Sequence, residues 1–377
     1  MRTGLTGGIA LLGTLAVVAC GSSSTPATSS SGGGNTPTAA AIPTGNPTSA
    51  VTLSESGSSL LLPFLQELVA PLTAQYSNIT LAPSGGGSGK GISDAIAGNS
   101  LLGGSDAYLS PGQFSQNPTL ANIPIAISAQ GIWYNLPGVT GLKLSGDVIA
   151  KIYEGSITKW NDPAIAALNS GVTLPSTTIM PLVRQGSSGD TFLFTSFLSA
   201  TNSAWASGPG NGTSVTWPKV ATEGSAASNP GMVAACKAGC IAYVGVSASA
   251  AAQTAGLGEA MLENKAGTFL TPTPETIAAA VTAGASSIPA NLALSLIYED
   301  GAQSYPIVNF EYLVVNTAQT SADNALAIRT FFEWAIDPNG GSQASFLSKE
   351  NFVGLQGSVP ASVLTAINAK IASIKSS

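Results

Sequence analysis

The sequence contains no histidine, and only 8% of its 377 residues are charged. Without histidine, the chain lacks the commonest general base and the commonest metal ligand of proteins. Its 13 basic and 19 acidic residues give a formal net charge of −6. Nucleic acids and anionic membrane surfaces are bound by basic patches, so neither is an expected partner.

Cysteine is also scarce, with Cys20, Cys236 and Cys240 as the three positions. The last two occur in Cys236-Lys-Ala-Gly-Cys240, and two thiols are too few for a zinc site, which needs about four ligands. Outside the cytosol, a local disulfide is their natural state. The sequence therefore predicts a Cys236–Cys240 disulfide, no metal site and no cofactor.

The apolar run near the N-terminus, residues 9–18, is too short for a spanning helix, which needs about 20 apolar residues. Arg2 precedes this run and Val17-Val18-Ala19-Cys20 ends it, so residues 1–20 are predicted to be an export signal. The ending resembles a bacterial lipobox, which implies lipidation of Cys20; the alternative is an ordinary secretory signal with an incidental cysteine. Residues 21–49 are rich in Ser, Thr, Gly and Pro and predict a flexible linker.

The rest of the chain has the apolar content of a folded protein, since 44% of the whole sequence is hydrophobic. Short β-like runs alternate with helical patterns, which predicts an α/β protein with mostly parallel sheets. The length is comfortable for two lobes.

Three segments share one design: a short apolar strand, a Gly/Ser turn and then a helix. They run from 51–53 into a helix over 60–76, from 79–81 into a helix with Ile92 and Ile96, and from 179–183 into a helix over 191–198. Pro71 should kink or end the first of these helices. Free N–H groups and the helix dipole at each junction can hold an anion. The alternative is that Ser59 or Ser88 simply caps its helix.

Arginine and aspartate positions near these junctions favour the anion interpretation. Arg184 follows the third strand, and its guanidinium can grip two oxygens of a tetrahedral anion. Asp106 and Asp190 can accept hydrogen bonds from an anion that carries a proton, as phosphate does and sulfate does not. They would therefore discriminate against sulfate. For Asp190 the alternative is a helix-start residue that complements the dipole.

Several motifs, taken in this order, resemble the PstS family of phosphate-binding proteins of phosphate ABC importers. They are Gly57-Ser58-Ser59-Leu60-Leu61, Ser105-Asp106-Ala107-Tyr108-Leu109-Ser110, Gly155-Ser156-Ile157-Thr158-Lys159-Trp160-Asn161-Asp162-Pro163, Ser188-Gly189-Asp190-Thr191-Phe192-Leu193-Phe194-Thr195 and Phe331-Phe332-Glu333-Trp334-Ala335. The resemblance implies a type II periplasmic-binding-protein fold, in which two lobes, each a mixed sheet flanked by helices, hold phosphate in the cleft. Lobe I would comprise 50–127 and 306–377, and lobe II would comprise 128–305.

The resemblance also implies the phosphate-binding residues. They are Ser59, Leu60 through its N–H, Ser88, Asp106 as acceptor of the phosphate proton, Arg184, Ser188, Gly189, and either Asp190 or Thr191. For the last position three contacts stay open: the Asp190 N–H, the Asp190 carboxylate or the Thr191 hydroxyl. The residue two after the arginine is often acidic in the family but is Gly186 here, which predicts that Arg184 lacks an orienting ion pair.

The functional expectation is a monomeric receptor that is lipid-anchored outside the cell, closes on phosphate and delivers it to ABC permease subunits. The first alternative is a hydrolase or phosphatase with Ser59 or Ser188 as nucleophile, which without histidine would need a lysine or a metal. The second is a receptor for another oxyanion, such as sulfate or molybdate. The third is an adhesive or signalling lipoprotein that keeps the fold without transport.

Overall fold

The computed structural model describes residues 42–220, 223–286 and 288–377. The predicted export signal with Cys20, and the predicted linker up to residue 41, lie outside these ranges. In the described part, no helix combines the length and apolar character needed to cross a membrane.

The elements alternate between strand and helix along much of the chain. The strands are β1 (Val51–Gly57), β2 (Ile79–Ala82), β3 (Leu102–Ser105), β4 (Leu120–Tyr134), β5 (Lys143–Leu144), β6 (Met180–Arg184), β7 (Gly224–Ala226), β8 (Cys240–Gly245), β9 (Gly258–Glu259), β10 (Met261–Glu263), β11 (Phe269–Leu270), β12 (Leu296–Ile297), β13 (Ile307–Asn316), β14 (Ala318–Gln319) and β15 (Lys375–Ser376). The helices are α1 (Leu62–Gln75), α2 (Ser88–Ala97), α3 (Pro111–Gln116), α4 (Gly146–Tyr153), α5 (Pro163–Leu168), α6 (Gly189–Thr201), α7 (Ser203–Ser207), α8 (Asn229–Ala235), α9 (Ser249–Thr254), α10 (Pro274–Gly284), α11 (Ala322–Ile336), α12 (Ala344–Leu347) and α13 (Ala361–Ala372). A 3₁₀ turn covers Val246–Ala248.

One curled sheet connects the two lobes, with its main strands in the order β2-β1-β3-β13-β4-β8-β6-β7. The predicted α/β fold with mixed sheets is confirmed, and the expectation of mostly parallel strands holds for the flanking strands but not for the central ones. β1 is parallel to β2 and β3, and β6 is parallel to β7 and β8. The central strand β13 is antiparallel to β3 and β4, and β4 is antiparallel to β8. These central strands do not follow the βαβ pattern of the flanking ones.

Strand β4 belongs to both lobes. From Leu120 to Ala129 it pairs with β13, and from Gln130 to Tyr134 it pairs with β8. All fifteen of its residues are buried, as expected for a strand covered on both faces. The change of partner supports a lobe boundary within this strand, while the positions 127/128 and 305/306 stay predictions.

Lobe II has a core of stacked aromatic rings next to β6 and β8. Phe194 of α6 stacks on Tyr243 of β8 with ring centroids 4.3 Å apart, and Tyr153 and Trp217 pack around them. Such pairs contribute about 0.5–1.5 kcal/mol beyond their area. The cluster therefore holds the first turns of α6 firmly against β6.

The end of the predicted linker is bound to lobe I. Gly45 and the Thr330 hydroxyl exchange two hydrogen bonds of 2.9 and 3.0 Å, and the N–H groups of Thr48 and Ser49 donate to the Asp323 carboxylate. Residues 43–49 are thus fixed on α11, and the linker interpretation does not hold for them.

The structure also tests the predictions for the Cys236–Cys240 disulfide and for Pro71. The Cys236–Cys240 disulfide is present, with Cα atoms 5.3 Å apart. Helix α1 passes through Pro71 and continues to Gln75. Pro71 therefore does not end the helix. Its missing N–H removes one backbone hydrogen bond, and only four residues of the helix follow it.

Candidate functional site

The first junction, between β1 and α1, is built around Ser58. Its hydroxyl accepts hydrogen bonds from the N–H groups of Leu60 and Leu61 at 3.0 and 3.1 Å and donates to the Asp106 carboxylate. Ser58 therefore caps this helix start, and the Leu60 N–H, predicted to bind phosphate, is paired with it. Ser59 is left to point its hydroxyl across the cleft.

The second junction brings α2 against both Asp106 and lobe II. The Ser88 hydroxyl accepts a hydrogen bond of 3.2 Å from the Asp106 N–H, and Ser88 is fully buried. The Gly89 N–H donates across the cleft to the Ser187 carbonyl oxygen at 3.1 Å. A helix start of lobe I thus touches the turn of lobe II directly.

The third junction turns through Gly186, whose φ of +72° favours glycine, and enters α6 at Gly189. Phe192 donates the first backbone bond of this helix, to the Ser188 carbonyl oxygen. The N–H groups of Gly189, Asp190 and Thr191 precede that bond, so they are the free donors of the helix start. They form the positive end of the α6 dipole.

Arg184 joins the lobes at the centre of the site. Its guanidinium donates to the Ser59 hydroxyl at 3.2 Å, to the Ala227 carbonyl oxygen at 2.9 Å, and to the Asp190 carboxylate. The side chains of Arg184 and Asp190 are both only 1% exposed. The expectation that Arg184 lacks an orienting ion pair is therefore wrong, because Asp190, the second residue of α6, replaces the acidic residue that Gly186 cannot supply.

Of the three groups considered for the last phosphate contact, the Asp190 carboxylate and the Thr191 hydroxyl already form hydrogen bonds within the protein. The Asp190 carboxylate also accepts from Asn229 Nδ2 at 3.0 Å and from Gln130 Nε2 at 3.2 Å. The Thr191 hydroxyl lies 2.9 Å from the Tyr243 hydroxyl, which accepts from the Arg184 N–H. The geometry therefore favours the Asp190 N–H as the donor available to an anion.

Two buried polar atoms beside these helix starts lack a hydrogen-bond partner among the described residues: Arg184 Nε and Ser188 Oγ. An unpaired buried donor costs about 1–3 kcal/mol, and a bound acceptor would remove this cost. Both atoms can donate to an anion, as can the N–H groups at the start of α6.

Asp106 lies at the C-terminal end of β3 and is 2% exposed. Burial, and then the charges of Glu311 and Asp190, raise the pKa of the Asp106 carboxyl well above its usual range, against the hydrogen bond from Ser58, which lowers it. A carboxyl in this environment holds its proton at pH values at which exposed acids are ionised. It can donate a hydrogen bond to an anion when protonated and accept one from a protonated anion when ionised.

The structure thus brings the residues predicted to bind phosphate into one region, with contributions from both lobes. It also adds four side chains that sequence reasoning missed: Ser58, Gln130, Asn229 and Glu311. Ser58 stands beside the predicted Ser59, but its position in the sequence does not indicate its bond to Asp106. Asn229 follows Ser228 in a cap motif, which does not indicate its contact with Ser59 in the other lobe. Glu311 did leave a signal, as an acidic residue inside the apolar run of β13.

A groove lies beside the buried cluster. Its volume is 850 Å³, and Lys90, Tyr108, Ser187, Phe192 and Thr213 are among its lining residues. Tyr108 and Phe192 meet edge to face at its floor, with ring centroids 5.4 Å apart. The groove adjoins the site, because its lining residues Gly89, Ala107 and Ser187 are the sequence neighbours of Ser88, Asp106 and Ser188.

Glu55 lies on β1, just before the first junction, and gives a pH prediction. It is 3% exposed, and burial raises its pKa from 4.5 to about 8, although its carboxylate accepts a hydrogen bond from the Ser84 N–H. The folded chain therefore binds this proton more tightly than the unfolded chain does. The stability that this proton contributes is fully present below pH 4.5 and is lost as the pH rises towards 8. The slope is at most about 1.4 kcal/mol per pH unit.

Glu55→Gln should remove this slope, because glutamine keeps an acceptor for Ser84 and does not titrate. Urea unfolding at pH 5, 6, 7 and 8 would measure it, with Glu275→Gln as the control, since Glu275 is exposed in the first turn of α10. Equal slopes for Glu55→Gln and the unmodified chain would contradict the prediction.

Two α/β lobes around a buried site suited to an anion are the arrangement of a ligand-binding protein. A family model described as a PBP superfamily domain matches residues 37–339. The phosphate-binding protein PstS of Pasteurella multocida (strain Pm70) is 33% identical over 292 residues, 77% of this chain and 83% of that protein. PstS of Methanocaldococcus jannaschii is 30% identical over 342 residues, 85% of this chain and 86% of that protein. The chain belongs to the PstS family of phosphate-binding proteins.

A solved structure supports the same fold. The phosphate-binding protein from Stenotrophomonas maltophilia has a TM-score of 0.62 to this chain at 20% identity, covering 85% of this chain and 94% of that one. At this identity the likeness concerns the fold alone. The predicted two-lobe α/β fold is confirmed by it.

Proposed function

We propose that the protein captures inorganic phosphate in the cleft between its lobes, outside the cytoplasm, and delivers it to a phosphate ABC transporter. One observation carries the proposal: Arg184 of lobe II bonds to Ser59 of lobe I beside three helix starts. The Arg184 Nε and Ser188 Oγ donors stay unpaired there. A tetrahedral anion offers acceptors to all of these groups at once.

The anion is assigned as phosphate because of the carboxyl groups. The charges of Glu311 and Asp190 both act on Asp106, and Asp190 already balances the charge of Arg184. A fully ionised anion such as sulfate brings no proton of its own, so an ionised Asp106 would repel it and form no hydrogen bond with it. Phosphate retains at least one proton near neutral pH and can donate to that carboxylate.

A transport role fits the chain better than catalysis. The relatives that it matches are named for phosphate binding. The part of the chain that the structure describes contains no group of three or more Asp, Glu or Cys side chains arranged to hold a metal ion. Ser59 accepts bonds from Arg184 and Asn229 and has no basic partner that would activate it as a nucleophile.

The same proposal includes attachment to the outer face of the cell membrane through lipidated Cys20, with the protein acting as a monomer. The Val17-Val18-Ala19-Cys20 ending supports it. Mass spectrometry of the mature N-terminal peptide from the native host tests it, and an unmodified N-terminus would contradict the anchor without affecting the binding proposal.

Asp106→Asn provides the test of the proposed ligand. Asparagine keeps the size of the side chain but removes the charge that accepts the phosphate proton. We expect phosphate affinity to fall about 10- to 100-fold, the range for a hydrogen bond to a charged group. Sulfate affinity should rise, since the repulsion is gone. Isothermal titration with both anions measures the ratio.

The control is Asp300→Asn, because Asp300 is exposed and its ion pair is with Lys265 on the surface. An unmodified chain that binds no phosphate, or binds sulfate as tightly, would contradict the proposed function. If Asp106→Asn leaves the phosphate-to-sulfate ratio unchanged, only the proton-acceptor role of Asp106 is wrong.

A further inference from the structure

Glu311 is a fully buried acid at the back of the anion site, on the central strand β13. Tyr312 pairs with Ser105 in the antiparallel β13–β3 ladder. Because Glu311 precedes Tyr312 and Asp106 follows Ser105, this register puts the two acids opposite each other. The β13–β4 pairing is irregular between Glu311 and Tyr312, and such irregularities re-aim a side chain.

The two oxygens of the Glu311 carboxyl have different surroundings. Oε1 accepts hydrogen bonds from the Ser128 hydroxyl and from Asn309 Nδ2, the latter at 2.9 Å. Oε2 has no donor among the described neighbours, and the Asp106 carboxyl is within hydrogen-bonding reach of Glu311. Two buried carboxyls in contact cannot both be ionised at low cost, so the pair holds a proton between them.

Few other charges act on this pair. The titratable groups that face Glu311 are Asp106 at the end of β3, Asp190 on α6 and Tyr312 on its own strand. Asp190 is neutralised by Arg184. Burial raises the pKa of Glu311 to about 7, while the bonds from Ser128 and Asn309 lower it. Both carboxyls of the pair thus titrate at higher pH than exposed acids do.

We propose that Glu311 is a positioning residue for the ligand's proton: it takes the single proton of the Asp106–Glu311 pair when Asp106 accepts a hydrogen bond from phosphate. The step moves one proton from the Asp106 carboxyl to the Glu311 carboxylate and leaves the charge of the pair unchanged. Asp106 thereby becomes an acceptor without releasing a proton to the solvent. This inference rests on the proposed function.

Glu311→Gln tests it, because glutamine has nearly the same size as glutamate and cannot take up the proton of Asp106. Phosphate binding is measured by isothermal titration at pH 7 in buffers of different ionisation enthalpy, which gives the protons exchanged per phosphate bound. We expect Glu311→Gln to release about one proton more per phosphate than the unmodified chain. An equal proton count in both proteins would overturn the inference.

Ser128→Ala tests the same step while keeping Glu311, and it decides the matter if Glu311→Gln fails to fold. In the unmodified chain, affinity should fall about tenfold per pH unit once the pair has lost its proton. Removing the Ser128 donor makes Glu311 hold the proton more tightly, so this fall should begin at higher pH. An unmoved pH profile would overturn the inference.

Glu259→Gln is the matched control. Glu259 lies on β9, burial raises its pKa to about 7, and its Oε1 also lacks a partner. Its removal should change neither the proton count nor the pH profile, and a change as large as that of Glu311→Gln would count against the inference. Failure of the unmodified chain to bind phosphate would defeat the proposed function instead.

Discussion

Arg184→Ala is expected to abolish phosphate binding at micromolar concentrations and to destabilise the protein. The guanidinium is the cation of the site and bonds to both lobes, at Ser59 and at Asp190. Truncating one partner of a buried, charged hydrogen bond costs about 2–5 kcal/mol of binding free energy, which is about 30- to 5,000-fold in affinity. Isothermal titration measures this loss.

The same substitution leaves the Asp190 carboxylate buried without its ion pair. Removing one partner of such a pair costs about 3–5 kcal/mol of stability. The double variant Arg184→Ala/Asp190→Asn removes both charges and keeps an amide oxygen for Asn229 and Gln130. We therefore expect the double variant to recover most of the unfolding free energy in urea, and not the binding.

Arg184→Lys is the second comparison, since lysine keeps the charge but cannot form two parallel bonds. It should be more stable than Arg184→Ala and still bind phosphate weakly. Full binding by either single variant would show that Arg184 does not contact the ligand. A double variant as unstable as Arg184→Ala would show that the unpaired charge is not the cause of the instability.

The parts of the fold that sequence reasoning predicted are those set by local patterns. Strand–turn–helix junctions were recognisable because apolar runs, Gly/Ser turns and helical spacing are adjacent in the chain. The two central strands were harder to interpret, because β4 and β13 are mostly apolar and show no regular alternation of polar and apolar residues. Such a run indicates burial on both faces but not the direction of its neighbours. That direction depends on crossovers between distant segments.

The candidate site shows the same contrast between residues in local motifs and partners from distant segments. Ser59, Ser88, Asp106, Arg184 and Ser188 stand in motifs that indicate an anion. Their partners come from elsewhere: Gln130 from β4, Asn229 from the start of α8, and Glu311 from β13. The role of Asp190 changed most, from a candidate phosphate contact to the ion-pair partner of Arg184. Sequence spacing could not separate these roles, because both place the carboxylate in the first turn of α6.

Gly189→Ala is expected to weaken phosphate binding strongly while leaving each lobe folded. Gly189 opens α6 in lobe II, and an added Cβ would lie 2.4 Å from both Asp106 Oδ2 and Ser88 Oγ of lobe I. Atoms that close must move apart, and overpacking of this kind costs about 1–3 kcal/mol. Affinity should therefore fall about 5- to 150-fold.

The expected loss of phosphate affinity comes from contacts between the lobes and not from unfolding of either lobe. The contacts of the new methyl group are with the other lobe, and alanine suits a helix better than glycine does. The unfolding free energy without phosphate should therefore stay within about 1 kcal/mol of the unmodified value. The stabilisation that saturating phosphate adds should shrink with the affinity.

Small-angle X-ray scattering measures whether the variant still becomes more compact when phosphate is added. If phosphate draws the lobes together, the unmodified chain should become more compact on adding phosphate, and Gly189→Ala should respond only at higher concentration. Gly112→Ala is the control, because a Cβ at this exposed position on α3 meets no atom within 4 Å. Normal affinity and compaction in Gly189→Ala would mean that phosphate is bound without the close approach of Gly189 to Asp106. The lobes would then have to enclose the anion at a wider separation than the contacts from Arg184 to Ser59 and from Gly89 to Ser187 indicate.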